Sequence, residues 1–320
     1  MSFSRVIVTG GAGFIGSHLV ERLLTDGREV VVIDDCSTGR LENLASVASH
    51  PRLRVIQTKV SECGELEELT KGAEAIYHLA AAVGVELVIH SPIRTIETNL
   101  RETEAVMSVA GRHGTPVLLA STSEVYGKSQ KTAFSEEDDL IIGPPHLLRW
   151  SYACSKLMDE FLAMSYARER QLPVTVVRFF NTVGPRQTGR YGMVLPRFIA
   201  AAKSGAPLKV FGDGRQTRCF CLVTDVVEAL TRLQRNPAAH GQVFNVGTDE
   251  EVSVGELAAL VISVLGSTSS VELIPYGQAY APGFEDMLRR RPLIDKLERV
   301  TGFRPATRLR EIIEVTARTI

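Results

Sequence analysis

Tyr152 and Lys156 stand one helical turn apart in the run YACSK. On a helix, residues at that spacing share a face. An ammonium beside a phenol favours the phenolate, so such a tyrosine can take a proton near neutral pH. A tyrosine and a lysine paired on a surface helix is the commoner meaning of this spacing, and the pair alone would be read so. A second cluster shifts the balance. Ser121, Thr122, Ser123 and Glu124 close an apolar run, Val117–Ser121, that reads as a strand. Hydroxyls at the C-terminal end of a strand can bind a substrate hydroxyl and share its proton with a base, although Ser and Thr there are often only turn residues. Glu124 adds a carboxylate able to handle a further proton or to hold a ring.

A phosphate-binding turn lies near the start of the chain. The run VIVTGGAGFIGSHL carries Gly10, Gly13 and Gly16 between a strand and a helix. The first glycine permits a tight turn, the second lets backbone approach a pyrophosphate, and the third lets helix and sheet pack closely. The helix N-terminus then faces the phosphates. Asp34 closes the next apolar run. A carboxylate there accepts hydrogen bonds from an adenosine ribose and repels a 2′-phosphate, so the expected cofactor is NAD rather than NADP. With strand, helix and acid all in place, a glycine turn without ligand is the lesser reading.

These residues need a scaffold that brings strand ends together. Apolar runs at Arg5–Thr9, Val30–Asp34, Val55–Thr58, Ala75–His78, Val117–Ser121 and Thr175–Phe179 alternate with helical spacing at Phe14–Thr25, Thr95–Gly111 and Ser155–Arg170. The alternation predicts an α/β fold, a Rossmann-type doubly wound parallel sheet. After about residue 180 prolines and glycines punctuate shorter elements. Helices are expected at Leu195–Lys203, Asp225–Gln234, Ser253–Leu265 and Leu309–Arg318, with a strand at Val243–Val246. Ser253 and Glu256 form a capping box. The expected division is residues 1–180 as an NAD-binding Rossmann domain. Residues 181–320 then form a smaller C-terminal α/β lobe, mainly for substrate, with some segments returning to the first domain. Lys128–Pro145 is too long and polar for a simple join between elements.

The bulk properties narrow the class of partner. Of 320 residues 44% are hydrophobic and 23% charged, enough for a sizeable core. A net charge of -1 provides no global field for nucleic acid or an anionic membrane. RQTR at 215–218 is too short for a nucleic-acid platform, and no apolar run reaches membrane-spanning length. Cys36, Cys63, Cys154, Cys219 and Cys221 form no CxxC pair and lack metal-ligand spacing. No metal is expected. Buried or partly buried thiols in a reducing, cytoplasmic compartment are expected, with Cys219 and Cys221 pointing the same way on one strand. Of Arg289, Arg290 and Arg291, two are expected on a solvated face.

Taken together, GGAGFIG (10–16), HLAA (78–81), Asn99, STSEVYG (121–127), YACSK (152–156), RFFNTVGPRQ (178–187) and FGDGRQTRCF (211–220) resemble the extended short-chain dehydrogenase/reductases, in their nucleotide-sugar branch. The resemblance covers nearly the whole chain. It implies Tyr152 as base, Lys156 as the residue orienting the nicotinamide ribose, and Thr122 as the hydroxyl that binds the reacting group, with Ser123 and Glu124 beside it. Toward NAD it implies Gly10, Gly13, Phe14, Ile15, Gly16, Asp34, Ala80 and Asn99. Toward a substrate expected to be UDP-linked it implies Asn181, Arg186, Arg218 and Arg290. Arginine forks suit a diphosphate or a carboxylate. Leu293 replaces an acid that relatives carry after the proline, so the edge of this site differs. A homodimer is implied as well, through a four-helix bundle built from the helices near 100–110 and 155–168.

The branch shares oxidation at C4 to a 4-keto sugar, which then has three fates. STSEVYG resembles UDP-glucuronate decarboxylases, and RWSYACSK preceded by IIGP resembles the decarboxylase domain of the lipid A aminoarabinose pathway and plant UDP-apiose/UDP-xylose synthases, which carry a cysteine where this chain has Ser123. AAAVGVELVIHSP (80–92) and NTVGPRQTGRYG (181–192) resemble 4-epimerases. Ser123 departs from the Asp-Glu pair of the 4,6-dehydratases. UDP-glucuronate decarboxylation is therefore the leading expectation, followed by 4-epimerisation of UDP-glucose or UDP-glucuronate. A 4,6-dehydratase or a non-catalytic NAD-binding protein stands behind both. An enclosed sugar carboxylate needs a cation, and Arg94, Arg149, Arg186 and Arg290 are all open as its partner.

Overall fold

Six strands rich in Val, Ile and Leu follow one another through the first part of the chain: β1 (Arg5–Thr9), β2 (Glu29–Ile33), β3 (Leu53–Ile56), β4 (Ala75–His78), β5 (Val117–Thr122) and β6 (Val174–Phe179). Most show a run of buried residues rather than alternation, as strands covered on both faces do. The computed structural model describes residues 4–83, 90–188, 193–275, 277 and 287–320. Beyond β6 come β7 (Thr182–Val183), β8 (Leu208–Phe211), β9 (Thr217–Cys219), β10 (Cys221–Leu222), β11 (Gln242–Val246), β12 (Glu251–Ser253), β13 (Val271–Ile274) and β14 (Arg289–Arg290). The helices are α1 (Phe14–Thr25), α2 (Leu66–Thr70), α3 (Pro92–His113), α4 (Trp150–Arg170), α5 (Val194–Ser204), α6 (Val223–Gln234), α7 (Val254–Leu265), α8 (Asp295–Thr301) and α9 (Leu309–Ala317).

The main sheet has seven strands in the order β11-β6-β5-β4-β1-β2-β3, all parallel. One hydrophobic cluster lies under α1, α6 and α8, and a second lies under α3 and α4 on the other face. A third joins α5, α7 and α9. The α/β doubly wound expectation holds. The chain builds outward from β1 to β3, then crosses back to β4 on the other side of β1. That reversal opens a crevice at the C-terminal strand ends, where such sheets hold ligands.

Local signals set several boundaries. Gly114 and Gly266 end α3 and α7 in the left-handed conformation. The capping box of Ser253 and Glu256 is present at the start of α7. The helix expected from Ser155 begins earlier, at Trp150, so Tyr152 lies in its first turn. The segment from Lys128 is irregular, tied by single bridges of Gly127 to Ile141 and Phe134 to Pro292.

Two expectations about the thiols are corrected. Cys219 ends β9 and Cys221 begins β10, so the chain changes strand between them rather than running as one. Cys154 is exposed, because it lies on the outward face of α4. Burial pushes the Cys219 thiol up to about 12 and that of Cys221 well above its ordinary value. Among the described residues no helix is long and apolar enough to cross a membrane, and no cluster of His, Cys, Asp and Glu could hold a metal ion.

Candidate active site

A cleft of about 670 Å³ runs from the β1 turn to the β9 and β14 strands. At one end the turn after β1 is built so closely that side chains are excluded. A Cβ on Gly10 would lie 2.7 Å from the Ala80 nitrogen, and one on Gly16 would lie 2.1 Å from the Gly10 oxygen. Gly10 also takes a positive φ of 71°, which favours glycine. Asp34 follows β2 and accepts hydrogen bonds from the Ala12 and Cys36 N–H groups, both at 2.8 Å. Burial raises the Asp34 pKa against those two bonds. Gly10, Gly13, Phe14, Ile15, Gly16, Asp34 and Ala80 all line the cleft. The bare turn, the α1 N-terminus and the acid at the next strand end fit a dinucleotide.

Asn99 is placed differently from the expectation. It is buried and outside the cleft lining. It accepts from Ala82 N–H at 2.8 Å and donates to Ser155 Oγ at 3.0 Å, tying the chain after β4 to α4. It lies on the buried face of α3 with Thr95 and Thr103, where both ends of its amide find partners.

The catalytic candidates converge at the middle of the cleft. Thr122, the last residue of β5, accepts from Glu124 N–H at 3.2 Å, and its side chain hydrogen-bonds Tyr152. Lys156 is buried and donates to Asp159 Oδ2 at 2.7 Å. Burial first, and then the Glu124 carboxylate, push the Tyr152 phenol above its ordinary range, against the Thr122 hydrogen bond and Arg290. The lowering expected from Lys156 is thus not what the site displays, because burial dominates, and the ammonium is bonded to Asp159. Ser123 lines the cleft but is almost fully buried.

The chain after β6 supplies cations. Arg290 on β14 donates to Glu124 Oε1 at 3.3 Å and to Asn181 Oδ1 at 2.5 Å, while Asn181 donates to the Cys219 carbonyl at 2.9 Å. Arg218 on β9 lines the same wall, next to Arg290 in strand register. Arg186 takes a positive φ of 69° and pairs with Glu21 of α1 at 2.5 Å. Of the four arginines open to a carboxylate, Arg149, Arg186 and Arg290 line the cleft. Arg94 does not, being exposed in the first turn of α3. Arg289, expected on a solvated face, is exposed but held by Glu251.

Several residues at this site lay outside the sequence reading. Asp159 holds Lys156, and its only signal is an acid one turn after YACSK. His18 of α1 meets the Pro185 carbonyl at 3.0 Å, across 167 positions. Phe211 lines the cleft with Arg197 over its ring at 4.7 Å. Two motifs run past the described residues. Positions 84–89 of the segment 80–92, and positions 189–192 of the segment 181–192, lie outside them.

Comparison with known proteins agrees with this geometry. Residues 6–247 match the profile of the family described as "NAD dependent epimerase/dehydratase family". A UDP-N-acetyl-alpha-D-glucosaminuronate decarboxylase of Bacillus cytotoxicus is 39% identical over 94% of this chain and 92% of its own length. UDP-glucuronic acid decarboxylase 1 of Arabidopsis thaliana is 38% identical over 96% of this chain and 67% of its own. The crystal structure of a UDP-glucuronic acid 4-epimerase from Bacillus cereus, with UDP-glucuronic acid and NAD, superposes with a TM-score of 0.88 at 26% identity, covering 98% of each chain.

Proposed function

The chain belongs to the NAD-dependent epimerase/dehydratase family, and we propose that within it the protein decarboxylates a UDP-linked glucuronate-type sugar. In this reading residues 1–180 carry the cofactor and residues 181–320 mainly carry the nucleotide sugar. The observation that carries the proposal is the Glu124–Arg290 pair beside Tyr152. Simple epimerisation needs no extra acid after oxidation, whereas loss of the C5 carboxylate leaves a carbanion that must be protonated.

The turn from Gly10 to Gly16 and Asp34 would hold NAD, which would supply the hydride acceptor. Thr122 holds the C4 hydroxyl, and Tyr152 takes its proton. Lys156, fixed by Asp159, is oriented by its own helix. Once C4 is a ketone, the C5 carboxylate is β to it, and its electrons move into the ketone as CO2 leaves. Glu124 handles the proton that the carbon then needs. Asn181, Arg218 and Arg290 hold the diphosphate or the departing carboxylate, and Arg149 and Arg186 offer further cations at the wall.

The second reading is C4 epimerisation, favoured by the likeness to the Bacillus cereus 4-epimerase. Product NMR on purified protein given UDP-glucuronate separates the two. UDP-xylose or a UDP-4-keto-pentose with released CO2 supports the proposal. UDP-galacturonate sinks it. The assay is repeated with the 2-acetamido analogue, since the Bacillus cytotoxicus relative is named for that sugar.

We further propose a homodimer through α3 and α4, in a cytoplasmic setting. These helices pack side by side and leave Ile93, Met158 and Phe161 exposed. Cys154, Met158 and Phe161 follow one stripe of α4. Light scattering is expected to give twice the chain mass, and Phe161→Glu to give the single mass.

A further inference from the structure

Behind Thr122 and Glu124 lies a second buried polar cluster, which the chemistry above does not touch. Arg178 on β6 clasps Glu160 of α4 with contacts of 3.0 and 2.7 Å. Arg178 also donates to the Tyr126 hydroxyl at 3.0 Å, and its guanidinium lies 4.8 Å from the centre of that ring. Ser121 donates to the same Glu160. Tyr126 in turn donates to Asn245 Oδ1 at 2.7 Å, and its ring stacks on Phe134 at 4.7 Å.

Asn245 is the far end of this relay, fully buried on β11. Its Nδ2 donates to the Phe134 carbonyl at 2.9 Å and reaches the Leu293 carbonyl at 3.4 Å. Its own N–H donates to Glu136 at 2.9 Å. Phe134 and the segment after β14 are joined by two backbone bonds, Phe134 N–H to Arg291 O and Leu293 N–H to Phe134 O, both 2.8 Å. The residue before Arg291 is Arg290, which meets Glu124 and Asn181.

Asn245 therefore clips together three pieces: the seven-stranded sheet, the segment at 134–136 and the segment that follows the strand carrying Arg290. An apolar cluster could fill the same space without the cost of burying ions. What directed bonds add is register, because each has a preferred length and angle. We propose that Asn245, acting with Tyr126, is a positioning residue that sets Arg290 against Glu124 and so serves the step after oxidation at C4. This rests on the decarboxylase reading.

Tyr126→Phe keeps the ring and removes the relay, and Asn245→Leu removes the clip. Both are compared with wild type for CO2 release and for oxidation at C4, with thermal melting to confirm folding. Misplacing a reacting group by an ångström can cost about a hundredfold, so a loss of about tenfold or more is expected in kcat for CO2 release. Oxidation at C4, which uses Tyr152 and Thr122, is expected to hold within about threefold, and neither variant is expected to add a loss in an Arg290→Ala background. Equal losses in both steps, or the same factor in that background, overturn the inference and leave a purely structural cluster. Should Asn245→Leu not fold, Tyr126→Phe carries the test alone.

A wild type that releases no CO2 sinks the decarboxylase reading and with it the step assigned to the clip, and leaves the placement of Arg290 to be tested. The readout is then UDP affinity by calorimetry. Weakening by about threefold or more in Tyr126→Phe, absent in the Arg290→Ala background, supports the inference. Unchanged UDP affinity in that case overturns it.

Discussion

Arg290 Nη1 stands 3.3 Å from Glu124 Oε1, although 166 positions separate the two residues. The carboxylate raises the Tyr152 phenol and the guanidinium lowers it. Tyr152, Glu124 and Arg290 thus share one electrostatic setting, in which Glu124 acts on the phenol more strongly than Arg290 does.

Glu124→Gln tests that coupling. The carboxylate favours the neutral phenol, so replacing it with a neutral amide lets the phenolate form at lower pH. The rising limb of C4 oxidation, followed by nicotinamide absorbance against pH, is expected to move to lower pH. CO2 release is expected to fall by about a hundredfold or more, the usual scale for a lost acid-base group. A limb that moves to higher pH would remove Glu124 as a charge acting on Tyr152.

Asp159→Ala should be felt mainly in stability. Lys156 and Asp159 are 3% and 0% exposed and 2.7 Å apart. Removing one partner leaves a charge buried without compensation, a loss of about 3–5 kcal/mol. Urea unfolding measures it. A loss below about 1 kcal/mol would mean that the lysine finds another acceptor, since exposed pairs reach only that scale.

Asp34→Ala removes the acceptor of two N–H groups that shape the turn after β1. A hydrogen bond from the adenosine ribose to this carboxylate would contribute about 1.5–3 kcal/mol, so losing it should lower NAD affinity by about tenfold or more. Discrimination against NADP should shrink as the repelling charge disappears. Calorimetry with both dinucleotides checks the two effects separately.

His78 gives the fold an acid-sensitive point. Burial, and then Lys156, lower its pKa to about 3. Its ring nitrogens meet Thr9 at 2.7 Å and Thr103 at 3.2 Å. The unfolded chain takes up this proton near its ordinary pKa, about 6.5, while the folded chain does not. The unfolded state therefore binds more protons in that window, and the contribution is lost as pH falls from about 6.5 toward 3. Melting temperature is expected to drop more steeply between about pH 6.5 and pH 5 in wild type than in His78→Asn. Parallel curves would assign the acid sensitivity to other groups.

The elements of the sheet were legible because each strand is a local apolar run and each long helix a local period. The boundaries that moved did so for tertiary reasons. The α4 helix begins at Trp150 rather than Ser155 because Trp150 and Ala153 are buried in a cluster with Val125, Tyr126, Phe134, Phe180 and Met287. None of those five partners is near in sequence. Short elements such as α8 and β14 carry too few residues to display a period, and they form because the β11 and β9 surfaces receive them. Asn99 was read toward the cofactor from its motif, yet its amide serves Ala82 and Ser155, which only the packing of α3 on α4 brings within reach.

By itself the sequence determined the turn that holds a dinucleotide, the acid after β2, and the Tyr–Lys and Ser/Thr–Glu groups. Each of these is a matter of steric allowance or charge within a few consecutive residues. Tertiary structure alone decided the distant partners: Glu21 for Arg186, and Glu124 and Asn181 for Arg290. Coulomb and hydrogen-bond energies depend on distance through space and on burial, and neither is written in the order of residues along the chain.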